Sequence, residues 1–560
     1  MQNFKRRAFL KLSAILSAGT LISNALSGCQ SVAQANLGDV NFSHGVASGD
    51  PSADSIILWT RAVPSIGHSA SIGWRIATDE QFENTIRSGI AVAEATRDFT
   101  VKIDVTELDA NQHYFFEFYD ALNNRVVGTT KTLPNTGVDK INLAVFSCSN
   151  YPAGFFNPYS AAARRDEIDV VVHLGDYIYE YGKDGYATEN AQAINRTLDA
   201  DNSAETITLA DYRKRYATYR TDDGLRALHA KFPFIVVWDD HEVTNDTYID
   251  GAENHDPSEG DFATRKAQAI QAYYEWMPIR PPKGEHQPHI YRQFSFGPLA
   301  QLLMLDTRVI GRDKQLEYAD YRSESGFDQQ TFVSDLMAKE RSLLGAEQRQ
   351  WLMDSVAASD SQWTILGQQI LMGKMLFPAE IFAQQDRSKV APIITELTQI
   401  KQRVLSGETV TEKEQQRIEQ VMAYNLDAWD GYPVEREALL AALKAAGKPV
   451  VVLAGDTHNA WCNEIVDHNK QQVGIEFATP GVSSPGMEKY LSLSEDNAKS
   501  LADALTLLIE DLQFCNLHQR GYLNVQITAE AAEATWYFVD TVLSQQFTVT
   551  HMETYRYSAG

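Results

Sequence analysis

Through the first quarter of the chain apolar and polar positions alternate with period two, and the rhythm changes after Pro134-Asn135. Residues 55–60, 71–78, 100–105, 113–119 and 126–133 alternate or carry runs of β-branched and aromatic side chains, the pattern of half-buried strands. Asp50-Pro51, Ala110-Asn111 and Asn123-Asn124 supply turn chemistry between them. Strands of that length and spacing predict an antiparallel, immunoglobulin-like sandwich of about a hundred residues. Nothing in it has catalytic spacing, so its expected role is spacer and structural partner.

After residue 140, short and wholly apolar runs take over. Residues 141–146, 170–174, 234–238, 300–305, 362–366 and 450–454 are rich in Val, Ile and Leu, as in strands buried on both faces of a sheet. Helices are expected over 158–165, 210–219, 222–231, 263–276 and 434–446, and a short strand at 294–296. Strand pattern returns from Gly521 and includes 534–540. The alternation predicts α/β architecture. Residues 311–345 and 378–425 interrupt it as polar, partly helical insertions over one face. The expected division is therefore a signal segment over 1–28, a tether over 29–41, a sandwich over 42–134, an α/β domain over 140–545 and a tail over 546–560.

Length agrees with that division, since 560 residues exceed what one compact core accommodates. A formal net charge of -25 argues against a nucleic-acid-binding surface and against direct adhesion to anionic membranes. The amino terminus differs in sign. Lys5-Arg6-Arg7-Ala8-Phe9-Leu10-Lys11 is a twin-arginine signature followed by a moderately apolar run over 12–26. Leu26-Ser27-Gly28-Cys29 resembles a bacterial lipobox, with Cys29 the lipidated first residue of the mature chain. No later run is long and apolar enough to span a bilayer. These features predict export by the twin-arginine pathway and a periplasmic or cell-surface protein held to a membrane by lipid on Cys29. Cys462 and Cys515 would meet an oxidising compartment, which leaves a pairing between them open.

Candidate chemistry sits where the apolar strands end. They run into Ser147-Cys148-Ser149-Asn150, Gly175-Asp176-Tyr177-Ile178-Tyr179, Asp239-Asp240-His241-Glu242, Asp306-Thr307-Arg308 and Gly455-Asp456-Thr457-His458. Strand tips on one edge of an open α/β sheet converge on a single crevice. Five such endings would gather a thiol, a phenol, imidazoles and several carboxylates there. Each has a blander reading: an inert core thiol for Cys148, a packing group for Tyr179, a structural pair for Asp306 and Arg308. His173, Tyr177 and Tyr181 read as packing residues.

The set resembles the PhoD-like phosphatases and phosphodiesterases, a branch of the calcineurin-like metallophosphoesterases. In the superfamily the third block is Gly-Asn-His-Asp/Glu and the last Gly-His-x-His; Asp239-Asp240-His241-Glu242 and Gly455-Asp456-Thr457-His458 are the PhoD-like form. Ser43-His44-Gly45-Val46-Ala47-Ser48-Gly49-Asp50-Pro51, Leu305-Asp306-Thr307-Arg308, the segment 348–352 and Trp429-Asp430-Gly431-Tyr432 extend the match over nearly the whole mature chain.

The resemblance implies an αββα metallophosphoesterase sandwich preceded by a small all-β domain. It implies a hydrolase of phosphate monoesters, diesters or both, phospholipids included, acting as a monomer through a metal-activated hydroxide. By position, Cys148, Asp176, Tyr179 and His458 would hold ferric iron (Fe3+), with Asp176 bridging to a second metal on Asp240 and Asp456. Asp239 is the alternative to Asp240. Phenolate, thiolate and carboxylate neutralise Fe3+, and an all-oxygen second site suits Ca2+. His241 would stabilise the transition state or protonate the leaving group, and Arg308 would clamp a non-bridging oxygen. The insertions and 429–432 would wall the pocket. A rival of another class is a surface lipoprotein that binds a partner and carries a degenerate metal site. It predicts ligands missing at some strand ends, and none is missing.

Overall fold

The computed structural model describes residues 37–281, 290–324, 326–383 and 390–559. The signal segment and Cys29 lie outside the described residues. No described helix is long and apolar enough to cross a membrane.

Two sheets stack face to face. One has nine strands in the order 549–558, 531–539, 520–528, 140–146, 170–173, 233–236, 46–49, 56–61 and 100–105; the other has seven, in the order 292–296, 300–304, 363–367, 450–454, 472–478, 460–466 and 512–516. Their central strands run parallel, and Val170–His173 and Val450–Ala454 are buried at every position. Side-chain alternation explains why such runs need two apolar faces. Val451 and Leu453 enter the core between the sheets, while Val450 and Val452 face outward under helices Ala346–Ala358 and Pro433–Ala446. Helices Leu209–Tyr219, Asp223–Lys231 and Phe262–Trp276 cover the nine-stranded sheet, completing the αββα layers. Trp363 and Trp536 stitch the sheets, donating indole N–H bonds to Thr528 O and Ala478 O.

The amino-terminal region is a two-layered all-β unit. A four-stranded sheet of 85–94, 69–77, 113–119 and 125–131 packs Ile72, Ile76, Phe116 and Phe118 against Ile56 and Leu58. Its second layer is not a separate sheet. Strand Val46–Gly49 pairs in parallel with Pro233–Val236, so the layer continues the nine-stranded sheet. A Cβ on Gly49 would lie 2.2 Å from Pro278 O and 2.7 Å from Phe234 O, so only glycine allows this approach. Asp50, next in the chain, accepts bonds from the Arg292 guanidinium (2.6 Å) and the Arg280 amide (2.7 Å). The segment 43–51 therefore docks the two regions onto each other.

At the far end one expectation changes and one open question is answered. Within 546–560, expected as a tail, Val549–Ser558 is a strand paired along Ala531–Val539. Cys515 lies opposite Trp461 and Cys462 opposite Phe514, one register step apart on neighbouring strands. Their side chains enter different cores and both are free thiols.

Candidate metal centre

The strand ends turn sharply. Cys148 (φ 61°), Asp176 (54°), Asp456 (63°) and His458 (61°) all adopt the left-handed backbone region, which residues with a Cβ avoid at a cost of about 1–3 kcal/mol each. The turns brace one another. The Cys148 amide donates to Gly175 O (3.2 Å) and the Ser149 amide to Asp176 O (2.9 Å). Glu242 accepts from the amides of Asp176 (3.0 Å), Tyr177 (2.6 Å) and Asp239 (2.7 Å), tying the second and third strand ends together.

Cys148, Asp176 and His458 bring a sulfur, a carboxylate oxygen and a ring nitrogen within 4.8 Å of one another, all buried. The Tyr179 hydroxyl joins them, 3.0 Å from Asp176 Oδ2 and 3.1 Å from His458 Nε2. His458 Nδ1 faces Pro485 O at 2.7 Å, an acceptor that calls for a proton on Nδ1 and leaves the Nε2 lone pair turned toward the cluster. Asp176 also belongs to a second group with Asp240 and His241. One carboxylate is thus common to both.

Around the second group the electrostatics are crowded. Arg308 is fully buried; its Nε donates to Asp239 Oδ1 (2.5 Å), one terminal nitrogen to Asp427 Oδ1 (2.6 Å) and the other to Asp456 Oδ1 (2.7 Å). Burial pushes the Asp239 carboxyl well above its usual range and Asp456 up to about 7, against the pull of Arg308. Burial would raise Asp240 too, but Arg308, His241 and the amides of Asp246 and His241 outweigh it and hold it at about 2. The His241 Nδ1 lies 2.6 Å from Glu180 Oε2. Burial disfavours its imidazolium, yet Glu180, Asp240 and Asp176 together push its pKa well above the ordinary value. Burial and Asp176 raise the Cys148 thiol strongly.

This donor set fits cations. Asp176 Oδ1 and Asp239 Oδ2 are buried without a hydrogen-bond partner, and an orphaned carboxylate oxygen in an apolar interior is costly unless something positive meets it. Raised pKa values at Cys148 and Asp456 express burial first and neighbouring carboxylates second, and a cation would oppose both. Asp240, not Asp239, groups with Asp176 and His241, while Asp239 Oδ1 accepts from Arg308.

Four structural partners escaped the sequence reading. The loop 481–485 touches most of the first group: the amides of Ser483 and Ser484 donate to Cys148 O, the Ser484 hydroxyl donates to the Tyr179 oxygen (2.8 Å), and Pro485 O receives His458. Arg520 holds the loop from behind through Ser484 O (2.7 Å) and His458 O (3.1 Å). Glu180 and Asp427 anchor His241 and Arg308. Only Glu180, adjacent to Tyr179, carries a local signal. By contrast, Trp429 and Tyr432, expected to wall the pocket, are core residues beneath the seven-stranded sheet.

Comparison with known proteins agrees with this geometry. The family model described as PhoD-like phosphatase matches residues 143–536, and the one described as PhoD-like phosphatase, N-terminal domain, matches residues 28–134. Alkaline phosphatase D of Bacillus subtilis (strain 168) is 33% identical over 554 residues, spanning 95% of this chain and 84% of that protein. A solved structure of PhoD superposes with a TM-score of 0.74 at 29% identity, covering 94% of this chain and 91% of that one.

Proposed function

Because the chain belongs to the PhoD-like phosphatase family, and so is a phosphoric ester hydrolase, we propose that the two side-chain groups form a bimetallic phosphoesterase centre. The observation that carries this is Asp176, shared between a thiol–phenol–imidazole group and a second group with Asp240 and His241. In this reading Cys148, Asp176, Tyr179 and His458 hold Fe3+, and Asp176, Asp240 and Asp456 hold Ca2+. Such a pair supplies Lewis acidity that neutralises phosphate oxygens and acidifies water for attack.

The remaining chemistry belongs to the chain. Glu180 fixes the His241 Nδ1 proton, so Nε2 is the atom that delivers a proton to the departing alkoxide. Arg308 is engaged on three sides with carboxylates, which supports a role in balancing and orienting Asp456 and Asp239 over the substrate clamp expected from its motif. The open substrate class is phosphate monoesters and diesters. Lys5–Lys11 and the lipobox support export by the twin-arginine pathway and anchorage through Cys29; loss of palmitate labelling in Cys29→Ser, with export retained, is the expected outcome.

The decisive experiment is hydrolysis of matched chromogenic mono- and diesters by protein exported through its own signal, beside Asp176→Asn. Diester turnover equal to or above monoester, abolished in the variant, would assign a phosphodiesterase. Strong monoester preference would assign a phosphatase. Equal inactivity of both proteins with metals bound would sink the enzyme reading.

A further inference from the structure

Next to the ligand groups stands a series of tyrosines for which the hydrolytic reading has no use. The Tyr179 ring lies 5.9 Å from Tyr186 at 27°, and Tyr186 lies 6.4 Å from Tyr490 at 12°, both stacked. Tyr181 sits 5.9 Å from Tyr186 and 5.4 Å from the His241 ring. The series thus runs from a proposed metal ligand, past the proposed acid, to Tyr490.

Tyr490 is 55% exposed and connects to the first ligand group through Tyr186, whose hydroxyl lies 3.1 Å from His458 Nδ1. Its hydroxyl donates to the Tyr186 hydroxyl (3.3 Å), which donates in turn to Pro485 O (2.7 Å). The ring is therefore held at its hydroxyl and against Tyr186 on one face, in a residue that stays partly exposed. A ring already immobilised loses little further freedom when a planar group stacks on it. The cations attached to the ligand groups are spent elsewhere: Arg308 on carboxylates, Arg520 on carbonyls and Glu488. Lys489, beside Tyr490, pairs with Glu189 at 2.9 Å. Tyr181, Tyr186 and Tyr490 thus present rings on this side of the ligand groups.

We propose that Tyr490, backed by Tyr186 and flanked by Tyr181, is a stacking subsite for a planar aromatic ring in the alcohol portion of the phosphate ester. The inference rests on the phosphoesterase reading and names the substrate class of that site: esters of aryl alcohols or of nucleosides, whose ring lies on Tyr490 while the phosphoryl group occupies the metal groups.

The test compares metal-loaded wild type, Tyr490→Ala and Tyr490→Phe on phenyl phosphate and glycerol 1-phosphate. Inhibition by phenylphosphonate and methylphosphonate supplies a readout free of leaving-group chemistry. In Tyr490→Ala the aryl-over-alkyl preference in kcat/KM should fall about five- to tenfold, through KM. The ratio of the two inhibition constants should move equally, and Tyr490→Phe should retain the preference because it retains the ring. An unchanged preference in Tyr490→Ala, or an equal loss on both esters, overturns the subsite. Wild-type inactivity toward both esters would instead overturn the phosphoesterase reading, so the two failures are distinguishable.

Discussion

At Gly175 the backbone has φ 104°, and a Cβ there would end 2.4 Å from both Cβ and N of Asp239. That close approach lets the second and third strand ends meet, and with them Asp176 and Asp240. Gly175→Ala adds left-handed strain to an overlap, so a loss of about 2–5 kcal/mol is expected, read as a lower urea midpoint with metals bound. An unchanged midpoint would mean that the turns can separate. Ser484 acts at the same scale but on electronics. Its hydroxyl donates to the Tyr179 oxygen, and on the proposed bimetallic reading removing that bond would make the phenolate a better donor to a bound ferric ion. Ser484→Ala should move the phenolate-to-iron absorption band to longer wavelength with iron retained, and Ser484→Thr should restore it. A band that stays in place would remove Ser484 from the ligand environment.

Elements carry the next level of organisation. The strand Arg520–Thr528 begins at Arg520, whose guanidinium grips the loop 481–485 and the carbonyl of His458. Partners behind metal ligands typically change metal affinity 10- to 100-fold. Arg520→Gln is therefore expected to weaken iron retention about 10- to 100-fold in a chelator competition, with far-ultraviolet dichroism preserved and Arg520→Lys intermediate. Loss of the dichroism would place the residue in folding instead. Strand Val46–Gly49 makes a comparable demand: the amino-terminal layer completes the nine-stranded sheet, and Trp59 packs on Trp276 (5.7 Å) while donating to Glu275 O. Residues 140–560 expressed alone would expose an unpaired central edge and should be insoluble; a soluble, cooperatively melting fragment would contradict this dependence.

For the whole molecule, buried histidines set an acid limit. Burial lowers His173 to about 3; burial and Arg61 lower His44 to about 3; burial and Arg220 lower His229 well below its ordinary value. Each folded pKa lies below the unfolded one near 6.5, so under pH 6.5 the unfolded chain binds protons that the folded chain refuses. Stability from these groups is complete above pH 6.5 and falls as pH drops toward 3, by about 1.4 kcal/mol per pH unit for each histidine. Urea midpoints should decline from pH 6.5 downward, and His173→Gln should flatten the slope.

Much of this architecture is legible along the chain because it is local chemistry. A run such as Val170–His173 declares a doubly buried strand by composition, and a polar group shortly after it declares the strand's end, since backbone period and solvation act over a few residues. Cys148, Asp176, Tyr179, Asp240, His241, Asp456 and His458 were all visible in this way. The partners were not: Ser484, Arg520 and Asp427 are ordinary residues in ordinary local settings. Their roles arise only when loops distant in sequence are folded onto the same strand ends. The fused sheet was hidden for the same reason, because pairing between residues 48 and 233 is settled by packing around Gly49 and not by the pattern of either strand. Sequence alone determined which side chains stand at the tips, because that is written within a few residues; only the tertiary structure decided what holds them and which of two adjacent aspartates joins Asp176 and His241, because that depends on packing between distant segments.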